Sequence, residues 1–416
     1  MTPRRRFLSA TVAASGLHER MAPRRWRLPL FLSGLVLLSQ AFPLPSPVRD
    51  AATLSWASGF HLILPAWHIL FTPFCSLADH LSVLSFHQDY VLVFYVIAGC
   101  LLTGWRRGAL YFMLFVAFIA WGVLVPRPMG KLVSDNPSTL LIDFHSHSLY
   151  SHDGRHSFTP QANMRWHRLQ GYEASFITDH NRVEAAQIAK GISQMDWQTT
   201  NYRSLEGEEV SLQKTHLVIL GNHTKVDNRP YDGYYDKIPI FIHDMHKIGC
   251  PVIASLPEYW FYHWGAGVQD FLRWGMDGFE LINSAPKALD FPVAYRLQIV
   301  GLCRSQNLFM TGISDNHGYG YATAAWNAMQ VPGWREMDAD TLEKAVLKTL
   351  ATERFQAVQV LERVRFIPGS FWGLLLSPFA TLWLYWRSLQ PLQSVSWVAW
   401  IWIIFALFSA LRARDA

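Results

Sequence analysis

The stretch LIDFHSHSLYSHDG, residues 141–154, carries His145, His147, His152, Asp143 and Asp153. Residues two apart on a strand face the same side, so His145 and His147 would project together and offer a paired-imidazole clamp for a divalent ion. An H-x-H pair alone is common, and its weight comes from three further segments. FITDHN, from residue 176, sets Asp179 and His180 at the end of an apolar run. GEEVS, from residue 207, brings Glu208 and Glu209, and His216 opens the run HLVILG. ISDNHG, from residue 313, sets Asp315 and His317 at the end of another run. Imidazole with carboxylate and no thiolate suits zinc, manganese or iron in an open site rather than a closed structural zinc. A site holding several ions would lower the pKa of a bound water and neutralise a phosphoryl group together. The four cysteines, Cys75, Cys100, Cys250 and Cys303, lack C-x-x-C spacing and give neither a cysteine zinc site nor a disulfide framework.

The elements that must position these groups are short β-rich runs alternating with helical stretches. TLLIDFH, EASFITDH, HLVILG, CPVIAS, GFELIN and LFMTGISD read as strands. Thr159-Pro160 is an N-cap with proline at the first helical position, and Gly171 is its stop signal. DADTLEKAVLKTLATERF reads as a capped amphipathic helix packed on the domain. Such alternation predicts an α/β domain with a largely parallel sheet, open or closed into a barrel. In α/β barrels functional groups gather where the strands end, which is where most of the candidates fall.

The order DFHSH…SHDG, GYEASFITDHN, GEEVS…THLVILG and SDNHG, over roughly residues 138–330, resembles the PHP (polymerase and histidinol phosphatase) superfamily. The resemblance implies a distorted (β/α)7 barrel holding two or three divalent metals, usually with phosphoesterase activity. Position by position it implies His145 and His147 as the first pair, Asp153 as the next ligand with His152 the alternative, and His180 from the T-D-H motif. It further implies Glu209 as the bridging glutamate in preference to Glu208, then His216, Asp315 and His317. One ion would take His145, His147, Glu209 and Asp315; another Asp153, His180 and His317; a weaker third Glu209 with His216. The family usually has a histidine before the proline of CPVIASLPEYW, where this chain has Leu256. That departure implies a weaker or missing third ion, or compensation by His263. Arg155 is read as a bidentate clamp for a substrate phosphate, with a surface salt bridge the alternative.

Half of the 416 residues are hydrophobic and only 16% are charged, below the usual quarter of a soluble domain. The apolar residues concentrate at the two ends. The sequence therefore divides into a basic segment 1–27, a membrane region 28–126, a PHP-like hydrolase domain 132–362, and two C-terminal spans within 368–411. The membrane region holds four apolar segments, near 28–47, 52–75, 89–105 and 108–126, the second broken by His61, Pro65, His68 and Pro73. About twenty apolar residues are needed to cross the hydrocarbon core. MTPRRRFL resembles a twin-arginine export signal, with Met21 an alternative start. Four spans before the domain would put it in the cytoplasm, and three would put it outside; the four-span count is the one adopted, for a bacterial inner-membrane protein. The net charge of +5 comes largely from arginines flanking apolar segments, and no basic block interleaved with aromatics marks a nucleic-acid surface. The expected activity is a membrane-anchored, metal-dependent phosphoesterase, with a phosphorylated substrate that the tether makes a candidate for lipid linkage. The alternative is a metal-binding sensor whose output passes through the spans.

Overall fold

The computed structural model describes residues 26–212, 215–231, 233, 235–255, 257 and 267–414. The export-signal reading at Arg4-Arg5, Met21, Leu256 and His263 lie outside the described residues.

The strands, in chain order, are β1 Val48–Asp50, β2 Phe60–Ile63, β3 Lys131–Ser134, β4 Thr139–Asp143, β5 Ala174–Ile177 and β6 Arg203–Leu212. They continue with β7 Thr215–Leu220, β8 Val252–Ala254, β9 Gly278–Asn283, β10 Phe309–Ile313, β11 Ala325–Gln330 and β12 Gln359–Arg363. Ten of them form one curled sheet in the order β1-β12-β11-β4-β5-β6-β7-β8-β9-β10, a mixed α/β half-barrel, and β2 pairs with β3 apart from it. β4 and β5 are buried on both faces, as continuous apolar runs require when helices cover the sheet.

The expectation of a largely parallel sheet needs correction. Four pairings in the main sheet are parallel and five are antiparallel among the described residues. The cause is local: two residues separate β6 from β7, and so short a connection permits only an antiparallel hairpin. The helices Pro160–Gln170 and Ala339–Glu353 form where their caps are legible. Thr159 Oγ1 accepts from Ala162 N, Gly171 takes φ +99° at the end of the first, and Asp338 accepts from Thr341 N at the start of the second.

No ladder joins β10 to β11, and a side chain spans the gap. The buried Asn327 of β11 accepts from Gly312 N at 2.7 Å and donates to Gly312 O at 2.6 Å and to Ile142 O at 2.9 Å. Beyond the strand ends, Asp315 N donates to His145 O and His147 N to Asn316 O, at 3.0 and 3.1 Å. The ends of β4 and β10 are thereby held together without strand pairing.

Among the described residues two helices, Trp105–Leu124 and Pro391–Ala410, are long and apolar enough to cross a membrane. Arg27–Ser39, at 13 residues, spans about 20 Å, short of a hydrocarbon core of roughly 30 Å; Phe86–Leu102 has 17. The second apolar segment is not one continuous helix: β1 lies just before it, β2 lies within it, and the short helices Ala66–Leu70 and Thr72–Leu81 follow β2, each with proline at its start. β1 thus leaves the stretch read as membrane region and pairs with β12 at the edge of the main sheet. The segment near 368–388 divides into Phe371–Leu375 and Ser377–Ser388. His61 and His68 serve as ion-pair partners, of Asp135 at 2.9 Å and of the buried Asp79 at 3.2 Å.

Asn327→Ala would orphan three buried backbone groups. It is expected to lower unfolding stability by roughly 2–4 kcal/mol, read by denaturant titration of the full chain in detergent. A change below half a kcal/mol would show that the side chain does not close the sheet.

Candidate metal centre

Four segments converge on one rim of the sheet. His145 and His147 lie just past the end of β4, His180 past β5, and Asp315 and His317 past β10, while Glu209 and His216 sit on the β6–β7 hairpin. Strand alternation turns Glu209 toward the histidines and Glu208 away, where Glu208 Oε2 accepts from Asn222 Nδ2 and Val226 N at 2.8 and 3.0 Å. Asp315 occupies the left-handed region with φ +49°, a cost for a non-glycine residue that the surrounding hydrogen bonds impose.

His145 Nε2 and His147 Nε2 face each other at 3.0 Å. Glu209 Oε2 is 3.1 Å from the first and 3.2 Å from the second, and Asp315 Oδ1 is 3.7 and 3.0 Å from them. Glu209 Oε2 also lies 3.0 Å from His180 Nδ1, while Oε1 lies 2.9 Å from His216 Nδ1. Asp153 Oδ2 sits 3.4 Å from His180 Nε2 and 3.2 Å from His317 Nε2. The potential ligand triads include His145, His147 and Asp315; His180, Glu209 and His216; and His147, His180 and His317. His152 is exposed, yet forms a fourth triad with Asp153 and His180.

These residues fit divalent ions. Both carboxylate oxygens of Glu209 and Nδ1 of His180 are buried without a hydrogen bond, although imidazole nitrogens stand within 3.2 Å of the carboxylate. A buried carboxylate left so is costly. Donor atoms spaced about 3 Å apart are what a cation with ligand bonds of about 2.1 Å brings together.

A second layer of polar groups aims the ligands. Glu280 Oε1 lies 2.7 Å from His145 Nδ1 and Glu280 Oε2 accepts from Ser255 Oγ at 2.6 Å, which leaves Nε2 of His145 as the ligand atom. His317 Nδ1 donates to its neighbour's carbonyl, Asp315 O, at 2.8 Å and likewise frees Nε2. Asn283 Nδ2 donates to Asp315 Oδ2 at 2.9 Å. Asp143 supports rather than ligates: Oδ2 lies 3.0 Å from His167 Nε2, and Oδ1 accepts from the backbone of His145 and Ser314. Asp179 accepts from Ser148 N and Oγ, both at 2.6 Å. Glu280 went unread in the sequence because it stands alone within the apolar run GFELIN; a lone acid inside an apolar strand was the available signal.

The electrostatics follow from the crowding. Burial opposes charge on His145, but the Glu209 and Glu280 carboxylates outweigh it and hold its pKa well above the ordinary value. Burial opposes charge on His317 too, and the Asp315 and Asp153 carboxylates overcome it, lifting the pKa to about 9. Burial disfavours charge on Glu209 and Asp315, yet the imidazoles dominate and both are held below the carboxylate range. Burial raises Glu280, with only part of that offset by His145.

Arg155 joins the cluster through its backbone, N donating to His317 O at 2.9 Å, while its guanidinium is engaged elsewhere. Its Nη1 donates to Leu124 O at 3.0 Å, drawn by the carbonyl end of helix Trp105–Leu124. His246 pairs with Asp277 at 2.7 Å, away from the rim.

No family model matches the chain, and no curated protein matches it significantly. Among solved structures it is similar to a two-domain protein from Bacteroides vulgatus described as containing a predicted PHP-like metal-dependent phosphoesterase, at 17% identity and TM-score 0.39, over 58% of this chain and 70% of that one. It is also similar to a protein from Bifidobacterium adolescentis, provisionally described as a metal-dependent phosphoesterase, at 14% identity and TM-score 0.35, over 44% and 89%. A third is an amidohydrolase from Chromobacterium violaceum with bound sulfate and no metal, at 15% identity and TM-score 0.32, over 49% and 96%. At such scores the chemistry of this chain has to be read from its own residues.

Metal binding must displace protons from His145 and His317, so apparent affinity should rise as pH climbs from 6 toward 9, with at least one proton released per site filled at pH 7. Glu280→Gln is expected to weaken metal binding about 10–100-fold, whereas Glu208→Gln should leave it unchanged. Chelator competition with manganese or zinc across that pH range reads all three; a flat pH response, or equal loss in both variants, would refute the assignment.

Proposed function

We propose that this chain is a PHP-type, membrane-anchored, metal-dependent phosphoesterase. The observation that carries the reading is the Glu209 carboxylate, buried and without hydrogen bonds, flanked by imidazole nitrogens on both oxygens. Histidine and carboxylate groups in this number suit a pair or trio of divalent ions of the zinc, manganese or iron class. His145, His147 and Asp315 would share one with Glu209; Asp153, His180 and His317 would hold another; and His216 would bind on the far oxygen of Glu209. When bound, such ions lower the pKa of a water and neutralise charge on phosphoryl oxygens.

The chain's own residues do the rest. A cavity of about 370 Å³ opens on Asp153, Asp315 and His317 and gives the ester a place beside the ligands. Glu280 and Asn283 keep His145 and Asp315 aimed, so that little reorganisation accompanies reaction. Hydrolysis adds the oxygen of water to phosphorus, breaks the phosphorus–oxygen bond to the alcohol, and sends one proton of the water to the departing alkoxide.

Full-length protein in detergent is expected to hydrolyse a generic phosphomonoester or phosphodiester with manganese or zinc. His145→Ala should lower kcat/KM by at least about 100-fold, since even the loss of outer hydrogen-bond partners costs 10–100-fold. Stoichiometric metal with no turnover on either ester would overturn the enzyme in favour of a metal sensor.

The apolar helices Trp105–Leu124 and Pro391–Ala410 support the anchoring, and the proposed orientation puts the hydrolase domain on the cytoplasmic side. A reporter fused at residue 135 should be active only if cytoplasmic; activity of an export-dependent reporter there would reverse the orientation.

A further inference from the structure

The cavity beside the Asp315 and His317 cluster has a neighbour beyond the sheet's rim. A second cavity, of about 520 Å³, lies between the helices Thr72–Leu81, Phe86–Leu102 and Trp105–Leu124, and the two share Pro286 and Tyr321 in their walls. The first is lined on one side by Asp153, Asp315 and His317. The second is almost wholly apolar, with Leu92, Phe115 and Ile119 among its lining and Asp89 its one carboxylate. From Phe112 to Leu124 its wall follows one helix for about 18 Å. The wall residues Val93, Phe112 and Val116 stay 39%, 38% and 47% exposed, so the groove opens sideways onto the apolar outer face of the helix pair.

The junction is built rather than incidental. Phe86 N donates to Pro286 O at 3.1 Å, Gly320 N to Val123 O at 2.7 Å, and Ala322 N to Ser82 Oγ at 2.9 Å. A Cβ on Gly320 would stand 2.9 Å from Gly122 O, so that contact needs glycine. The loop that carries Asp315 and His317 is thereby bound to the helices that line the groove.

We infer that the substrate is an amphiphile: a phosphate ester whose head lies at the His/Asp/Glu cluster and whose hydrocarbon tail runs past Tyr321 into the groove between the Phe86–Leu102 and Trp105–Leu124 helices. This rests on the phosphoesterase reading for its head and on the groove alone for its tail. The polarity gradient fits such a molecule end to end: carboxylates and imidazoles at one end, an aromatic residue and a proline at the junction, and aliphatic and phenyl side chains beyond. The lateral opening gives a membrane-resident tail a way in without leaving hydrocarbon. A water-soluble phosphate ester would have no use for the second cavity.

Two measurements test it on full-length protein in phosphatidylcholine nanodiscs. The first uses alkyl 4-nitrophenyl phosphodiesters of rising chain length with manganese. With KM expressed as the mole fraction of ester in the bilayer, lengthening the chain should lower it until the groove is filled and leave it flat beyond that length. Ile119→Trp or Leu92→Trp, which plug the groove away from the metal ligands, should abolish that gain and leave turnover of the methyl ester unchanged. A KM indifferent to chain length, or a gain that survives both plugs, overturns the tail site. The second measurement uses a long-chain alkyl phosphate bearing a terminal diazirine and needs no turnover. Photolabelling should fall on the groove walls, require metal, and be lost in either plugged variant. Labelling indifferent to metal and to the plugs overturns the inference. Metal-dependent groove labelling without hydrolysis of any ester supports the tail site and overturns the phosphoesterase reading alone.

Discussion

One buried carboxylate sets the terms for the rest of the fold. Glu209 is 1% exposed and has imidazole nitrogens of His145, His147, His180 and His216 within 3.2 Å. Burying that many ionisable groups is destabilising unless each finds its counterpart, and removing one leaves the others uncompensated. The partners come from β4, β5, β6, β7 and β10, so the site exists only when the curled sheet has brought both of its ends together. That explains why closure between β4 and β10 relies on Asn327 and on backbone bonds at the rim rather than on a ladder. A continuous ladder would fix the strands, but His145, His147, Asp315 and His317 stand two to four residues past them.

Much of this was legible in residue order, and the gaps have physical causes. β4, β5, β7, β8, β9 and β10 appear as apolar runs because both faces are covered, which removes any alternation and leaves only length and turn signals to read. The histidines and carboxylates that the structure brings together were visible through their spacing, most of them at the ends of those runs. β6 was not visible as a ten-residue strand because Glu206, Glu208 and Glu209 interrupt it, and those acids are buried against local partners rather than turned to solvent. β11 and β12 carry Asn327, Glu362 and Arg363 at buried positions, so their polarity hid them as well. Arg155 shows the converse: its position in the sequence beside Asp153 was correct, but a helix end far earlier in the chain claims its guanidinium.

Hydropathy read composition where continuity mattered. The second apolar segment has the residues of a span, but its prolines begin two short helices and Phe60–Ile63 within it pairs as β2 with β3. His68, Asp79 and Arg127 then form a buried charged group beneath the helices, with Arg127 Nη2 2.7 Å from Asp79 Oδ1. Such a group is tolerable only where protein surrounds it on all sides. The helical region is therefore packed on the domain of the main sheet through specific polar contacts and is more than a flexible tether.

The end of helix Trp105–Leu124 shows how an apolar helix can abut a polar site. Its last carbonyls have no partners within the helix, and beside them lies a rim of carboxylates and imidazoles. Arginines resolve the conflict. Arg127 Nη1 donates to Gly122 O and also to Gly320 O at 2.5 Å, while Arg155 Nη1 takes Leu124 O. Gly320 N completes the set by donating to Val123 O. Cations favour the carbonyl end of a helix, so the residues that terminate the apolar helix are the same ones that hold the loop of Asp315 and His317. A shift of that helix would move Gly320, three residues from His317 of the cluster. The position of the apolar helix and the geometry of the site are consequently one variable, joined through two guanidinium groups and a glycine.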